Sequence, residues 1–239
     1  MAFPIRAISL DLDDTIWPIA PAIDRAEAAL DAWLLAHAPR TAKRWPLEAR
    51  RRLRDAVDAE HPHLSHDFTR QRLLTLERML RDSGDDVALV DAAFEAYFAA
   101  RCEVDHYADS VDALRRLAAR VPLAALSNGN ACLTRIGLMH LFRFQLGARE
   151  HGTAKPAASI FHAACSELGV LPAQVLHVGD DPALDIAGAA RAGLRTCWIN
   201  RDARDWPRED IHPDLEFPTL AALADWLDAS HTVLSQDAA

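Results

Sequence analysis

Cysteine is scarce in this chain. There are four, at positions 102, 132, 165 and 197. They lie far apart and form no C-x-x-C pair, so no disulfide framework is indicated and a reduced cytosolic chain is the simplest reading. Long apolar runs are missing too. No window approaches the roughly 20 apolar residues of a membrane span. The N-terminal MAFPIRAISLDL ends its short apolar run in aspartates, unlike a secretory leader. A cytoplasmic location without a membrane partner is therefore expected. Basic residues are in deficit: 26 Lys and Arg against 35 Asp and Glu give a formal net charge of -9. Such a surface discourages non-specific binding to nucleic acid or anionic membranes. Repeats are absent, and there is no low-complexity tract beyond richness in alanine. What is present is ordinary globular composition, half of it hydrophobic, in 239 residues. That length suffices for one large domain, or for a core domain carrying a smaller one.

Residues 5–12 read as a fully buried strand, nearly continuous in apolar residues as parallel strands are. From about residue 21 the texture changes. IDRAEAALDAWLLAHA, LEARRRLRDAVDAE, FTRQRLLTLERMLRDSG and DVALVDAAFEAYFAARCEV carry apolar residues at three- and four-residue spacing, which predicts four helices. After residue 105 helices alternate with short apolar strands: VPLAALS, RFQLGA, QVLHVGD and RTCWIN are strands, and ACLTRIGLMHLF, AASIFHAACSELGV, ALDIAGAARAGL and FPTLAALADWLDAS are helices, the second of these closed by Gly169. Alternation of this kind implies a parallel α/β sheet. The expected organisation is thus an α/β core, Rossmann-like, built from residues 1–17 and 106–239, with an α-helical domain of residues 18–105 inserted after the first strand.

Ligands of open parallel sheets sit beyond the carboxyl ends of the strands. The polar residues there form a coherent set. Asp11, Asp13, Asp14 and Thr15 follow the first strand. Ser127, Asn128, Gly129 and Asn130 follow the second, Lys155 lies in HGTAKPA, and Asp180, Asp181 and Asp185 follow VLHVG. Carboxylates from different strands can share a hard cation, and Mg²⁺ suits oxygen ligands and phosphate substrates. Ser, Asn and Lys suit phosphoryl oxygens. Two carboxylates one residue apart can divide the labour, one attacking while the other shuttles a proton.

These residues resemble the haloacid dehalogenase superfamily of phosphohydrolases. DLDDT matches its D-x-D-x-T motif, SNG its second motif, Lys155-Pro156 its third, and GDDPALDIAGAARAG its fourth. The helical insert resembles a C1 cap. The resemblance implies that Asp11 is the nucleophile and Asp13 the acid/base, that Ser127, Asn128 and Lys155 bind phosphate, and that Asp11, the main-chain carbonyl of Asp13 and Asp180 hold Mg²⁺. Thr15, Asp181 and Asp185 are supporting residues, Asp181 as a further acidic contact near the metal and Asp185 to orient Lys155 or the metal loop. KPAASIF departs from the K-P-D-P-x-I-F pattern: Ala157 and Ala158 stand in place of Asp and Pro, which puts the bracing of the loop near Lys155 in question.

Within that superfamily HD preceding FTRQR, SNGNA and VLHVGDD followed by TCWIN most resemble bacterial FMN phosphatases, which also act on 5-amino-6-(5-phosphoribitylamino)uracil in riboflavin synthesis. A small phosphate ester is the expected partner of a monomer or homodimer. Candidates for contacting it are His66, Arg70, Arg72 and Trp17, the last either stacking on a flat ring or packing at a hinge. Rival readings are a phosphoglycolate-type or sugar phosphatase, a phosphomutase, and a receiver-type domain phosphorylated on Asp. A dehalogenase proper needs neither Asp13 nor metal. His61, His63 and His66 lack a complete ligand set for zinc.

Overall fold

Ala7–Leu10 (β1) carries the sequence AISL with every residue buried. A strand covered on both faces tolerates no alternation, and β1 accordingly lies in the middle of the sheet. The computed structural model describes residues 4–236. Its six strands run in the order β3-β2-β1-β4-β5-β6, where β2 is Leu123–Ser127, β3 Phe144–Gly147, β4 Val175–Gly179, β5 Arg195–Ile199 and β6 Leu215–Phe217. All pairings are parallel. The chain leaves β1 toward β2 on one side and later reaches β4 on the other. The sheet order thus reverses at β1, and the loops there diverge to leave room for a ligand.

The described chain separates into two units. The α/β unit takes the chain up to Pro18, His106–Gly129 and everything from Gly137 onward. Its helices are α6 (Ser110–Ala118), α8 (Ala148–His151), α9 (Ala158–Leu168), α10 (Gly188–Arg191) and α11 (Leu220–Gln236). The helical unit takes Ile19–Asp105 and Asn130–Ile136. It holds α1 (Ile19–His37), α2 (Pro39–Arg44), α3 (Leu47–Glu60), α4 (Phe68–Ser83), α5 (Val90–Arg101) and α7 (Leu133–Ile136). Leu30, Leu34, Leu76, Met79 and Tyr97 centre its apolar core. Among the described residues no helix is long and apolar enough to cross a membrane.

Several elements differ from the sequence expectation, each for a local reason. The first strand is Ala7–Leu10, shorter than residues 5–12. ACLTRIGLMHLF does not form one helix: α7 stops at Ile136, Gly137 adopts φ +86°, and a single 3₁₀ turn follows at Met139–Leu141. Asn130–Ile136 packs with the helical unit, where the Asn130 amide donates to Thr69 Oγ1 at 3.4 Å and Arg135 pairs with Glu95 at 2.6 Å. α2 and β6 carry no periodic apolar signal, α2 burying only Thr41 and β6 lying at the sheet edge between Pro213 and Pro218. By contrast, α9 ends where expected. Gly169 takes φ +70°, a left-handed conformation that costs a residue without Cβ little.

Candidate active site

β1 delivers Asp11 one residue beyond its last paired position, with the Asp11 amide still bonded to the Val178 carbonyl of β4 at 2.9 Å. Asp11 is buried, and so are Lys155 and Asp185. The Lys155 ammonium joins three elements: it donates to Asp11 Oδ1 at 2.5 Å, to Asp185 Oδ1 at 2.6 Å and to the Leu126 carbonyl of β2 at 3.1 Å. Burial opposes its charge, but Asp11 and Asp185 outweigh burial and hold its pKa above the ordinary lysine value. Burial would likewise raise Asp185; Lys155 and His177 outweigh it and keep that carboxyl ionised well below its usual range. Asp11 goes the other way. Burial first, then Asp185 and Asp180, push it well above its ordinary value despite Lys155.

Asp180 follows β4 and accepts from Thr15 Oγ1 at 3.2 Å. Burial, followed by the charges of Asp185 and Asp14, raises its pKa to about 7. Carboxylate oxygens of Asp11, Asp180 and Asp185 all lie within 4.8 Å of one another. With three carboxyl groups against one ammonium, ionising all of them would leave two negative charges in a desolvated place. The donor set is all hard oxygen, and a divalent cation such as Mg²⁺ fits both the charge and the chemistry. Asp185 is the least available of the three. Its Oδ1 already receives Lys155 and lies 3.2 Å from His177 Nε2, and its Oδ2 accepts the Asp181 amide at 3.1 Å. Asp11 and Asp180 are therefore the two that could ligate such an ion, while Asp185 holds the lysine.

The remaining sequence candidates separate cleanly. Ser127 is buried at the end of β2, its Oγ accepting the Gly129 amide at 3.0 Å. Asn128 turns its side chain to the lysine loop. Its amide donates to the Lys155 carbonyl at 2.9 Å and its carbonyl accepts from the Lys155 amide at 2.8 Å. These two bonds brace the lysine loop in the place where Ala157 and Ala158 supply no side-chain support. Asp181 is a cap: its Oδ1 accepts from the Ala183 and Leu184 amides at 2.7 and 2.8 Å, opening the π-helical turn Pro182–Ala187 that turns Asp185 inward. Arg72 is spent inside the helical unit, bonded to Glu27 at 2.7 Å with its guanidinium 4.0 Å over the Tyr97 ring. Trp17 is fully buried and has no face to stack on a substrate; its indole N–H donates to Asp13 Oδ1 at 2.8 Å. His66 is half-buried and Arg70 exposed, at the start of α4. Phe68 between them is 48% exposed, an aromatic the sequence reading passed over.

Two further residues complete the site from below. Ser9 and His177 face each other across β1 and β4, both fully buried. Ser9 Oγ lies 2.9 Å from His177 Nδ1. Burial depresses the His177 pKa, which favours the neutral ring. A neutral ring donates from Nε2 to the Asp185 carboxylate, which leaves Nδ1 to accept the Ser9 hydroxyl. The signal was present in the sequence: Ser9 and His177 are polar residues in otherwise apolar strands, two positions before Asp11 and Gly179 and hence on the same face as them. Gly179 itself is dictated by this packing. A Cβ there would lie 2.3 Å from Asp185 Cγ. Gly179→Ala should destabilise the fold by about 1–3 kcal/mol in a urea titration and pull Asp185 away from Lys155, with loss of turnover.

Residues 5–193 match the family model of haloacid dehalogenase-like hydrolases. The chain belongs to that family. This hydrolase is similar to the 5-amino-6-(5-phospho-D-ribitylamino)uracil phosphatase YigB of Escherichia coli, with 34% identity over 92% of this chain and 94% of that protein. It is also similar to the glyceraldehyde 3-phosphate phosphatase of Methanopyrus kandleri, with 32% identity over 92% and 96% of the two chains. Among solved structures, a 2-haloacid dehalogenase from Pseudomonas syringae superimposes with a TM-score of 0.88 and 35% identity, covering 94% of this chain and 99% of that one. With phosphatases matching it over nine-tenths of its length, the enzyme is a phosphatase of this family.

Proposed function

We propose that the enzyme is a Mg²⁺-dependent phosphomonoesterase working through an aspartyl-phosphate on Asp11, and that its substrate is FMN or another ribityl- or nucleotide-type small ester. The observation that carries the reading is the Lys155 ammonium held between Asp11 and Asp185 beside Asp180. Asp11 and Asp180, with the main-chain carbonyl of Asp13, would hold the metal, which when bound supplies positive charge to the nucleophile and the phosphoryl oxygens. An Asp11 oxygen attacks phosphorus as the bond to the ester oxygen breaks. Asp13 gives its proton to that departing oxygen. Lys155 and the Ser127 hydroxyl hold the phosphoryl oxygens, and Lys155 keeps its own position because Asp185 and the Leu126 carbonyl hold it from behind. Asp13, now a carboxylate, takes a proton from the water that attacks phosphorus, and the bond to Asp11 breaks. Phosphate leaves and both carboxyl groups return to their starting states. Transfer to water in place of a second hydroxyl distinguishes this chemistry from a phosphomutase, and turnover distinguishes it from a receiver domain.

The substrate reading is supported by the similarity to the ribitylaminouracil phosphatase along nearly the whole chain; on that reading the enzyme would act in riboflavin synthesis. The half-buried His66, just before α4, and the exposed Phe68 and Arg70 in its first turn are our candidates for recognising the ester beyond its phosphate. Phosphate release with Mg²⁺ across FMN, the ribitylaminouracil ester, glyceraldehyde 3-phosphate and phosphoglycolate tests the assignment. The ribityl esters should lead in kcat/KM by about tenfold or more, the 1.4 kcal/mol of a few side-chain contacts. A lead by phosphoglycolate or glyceraldehyde 3-phosphate would remove the flavin assignment.

The similarity to a dehalogenase structure raises a second reading, removal of halide from a 2-haloacid. A halide leaves without a proton and without a metal, so Asp13 and the surplus negative charge at Asp180 would have no task. Halide release from 2-chloropropionate should be absent under conditions that release phosphate.

A further inference from the structure

The loop after β1 closes on itself. The Asp14 amide donates to the Trp17 carbonyl at 2.7 Å and the Ile16 amide to the Leu12 carbonyl at 2.9 Å. Asp14 takes φ +60°, a left-handed conformation that aspartate adopts more readily than most residues. Asp13 and Trp17 are thereby bridged side by side, and the Trp17 indole reaches Asp13 Oδ1 at 2.8 Å. Trp17 is fully buried, and its ring meets His106 edge-on with centroids 5.8 Å apart. An indole has a single donor and no acceptor. A ring fixed by packing therefore presents a permanent N–H to one oxygen of Asp13.

The geometry points to Trp17 as a positioning residue for Asp13: its N–H keeps Oδ1 an acceptor and so assigns the exchangeable proton to Oδ2. This rests on the reading of Asp13 as acid and base in ester hydrolysis. In the first step the proton leaves Oδ2 for the ester oxygen as the phosphorus–oxygen bond breaks and the bond from Asp11 to phosphorus forms. In the second, Oδ2 takes a proton from water as the water oxygen bonds to phosphorus and the Asp11 bond breaks. Trp17 donates to Oδ1 throughout and loses nothing.

The leaving group separates this role from a structural one. An alkyl alcohol departs only with a proton, whereas p-nitrophenolate departs without one. Trp17→Phe keeps most of the ring and deletes the N–H. The ratio of alkyl-ester to p-nitrophenyl phosphate kcat should fall about tenfold, below the full range of general acid catalysis because Asp13 itself is retained, with little change in KM for the alkyl ester. Both rates come from one preparation, so the ratio does not depend on the fraction that folds. Trp17→Leu, also without a donor, is measured the same way if the first variant is insoluble. In an Asp13→Asn background the same substitution should leave the ratio where Asp13→Asn has put it. If Asp13→Asn collapses the ratio and Trp17→Phe does not move it, Trp17 is structural and the inference fails alone. If Asp13→Asn leaves the ratio intact, the reading of Asp13 fails and carries the inference with it.

Discussion

Asp11→Asn gives a folded protein whose Mg²⁺-dependent phosphate release is reduced by about 10⁴-fold or more, the scale on which removing a nucleophile acts. The amide has nearly the shape of the carboxylate but cannot attack phosphorus. Lys155 keeps its bonds to Asp185 and the Leu126 carbonyl, so the pocket retains its frame. Stability should move in the opposite direction. Burial and the neighbouring Asp185 and Asp180 raise the Asp11 pKa in the folded state. A raised carboxyl favours folding only below its unfolded value of about 3.9, and that contribution is lost as pH rises through the folded value. At neutral pH in a chelating buffer Asp11 therefore costs stability, and Asp11→Asn should unfold at a higher urea concentration than wild type. The gain should vanish near pH 3. Retention of phosphate release by this variant is incompatible with the mechanism.

Lys155→Met should be the most damaging single substitution to the fold. It leaves Asp11 and Asp185 buried without their ammonium, and removing one partner of a buried ion pair costs about 3–5 kcal/mol. Asp185 fixes the pH dependence. Its pKa lies below the ordinary value in the folded protein, so its contribution is present above about pH 4 and is lost as pH falls through the folded value. The difference between wild type and Lys155→Met in urea titrations should be full at pH 7 and shrink under acid. A difference below about 1 kcal/mol at pH 7 would mean that the lysine is not the counter-charge its contacts describe.

The fold and the strand-end cluster of the candidate site were legible because their signals are local. Apolar strands ending in carboxylates can be read from adjacent residues, and the strand-end rule gathers Asp11, Ser127, Lys155 and Asp180 without any knowledge of contacts. What could not be read depends on partners remote in sequence. The closure of the Asn128 side chain on the Lys155 backbone is one such contact. Arg72 looks like a substrate contact until Glu27 and Tyr97 occupy it. Asp181 caps the turn that presents Asp185. Short elements such as α2 and β6 are set by their neighbours, and Asn130–Ile136 joins the helical unit through Thr69 and Glu95. Ser9 and His177 were visible as polar residues in apolar strands, but their purpose depends on the register that sets them opposite each other.

The central claim is that phosphate passes through Asp11 before it reaches water. The stereochemical course at phosphorus tests it without requiring the intermediate to accumulate. A chiral thiophosphate ester hydrolysed in isotopically labelled water should give product with net retention, because two in-line displacements invert twice. Net inversion would mean that water attacks the ester directly, and Asp11 would then be no nucleophile.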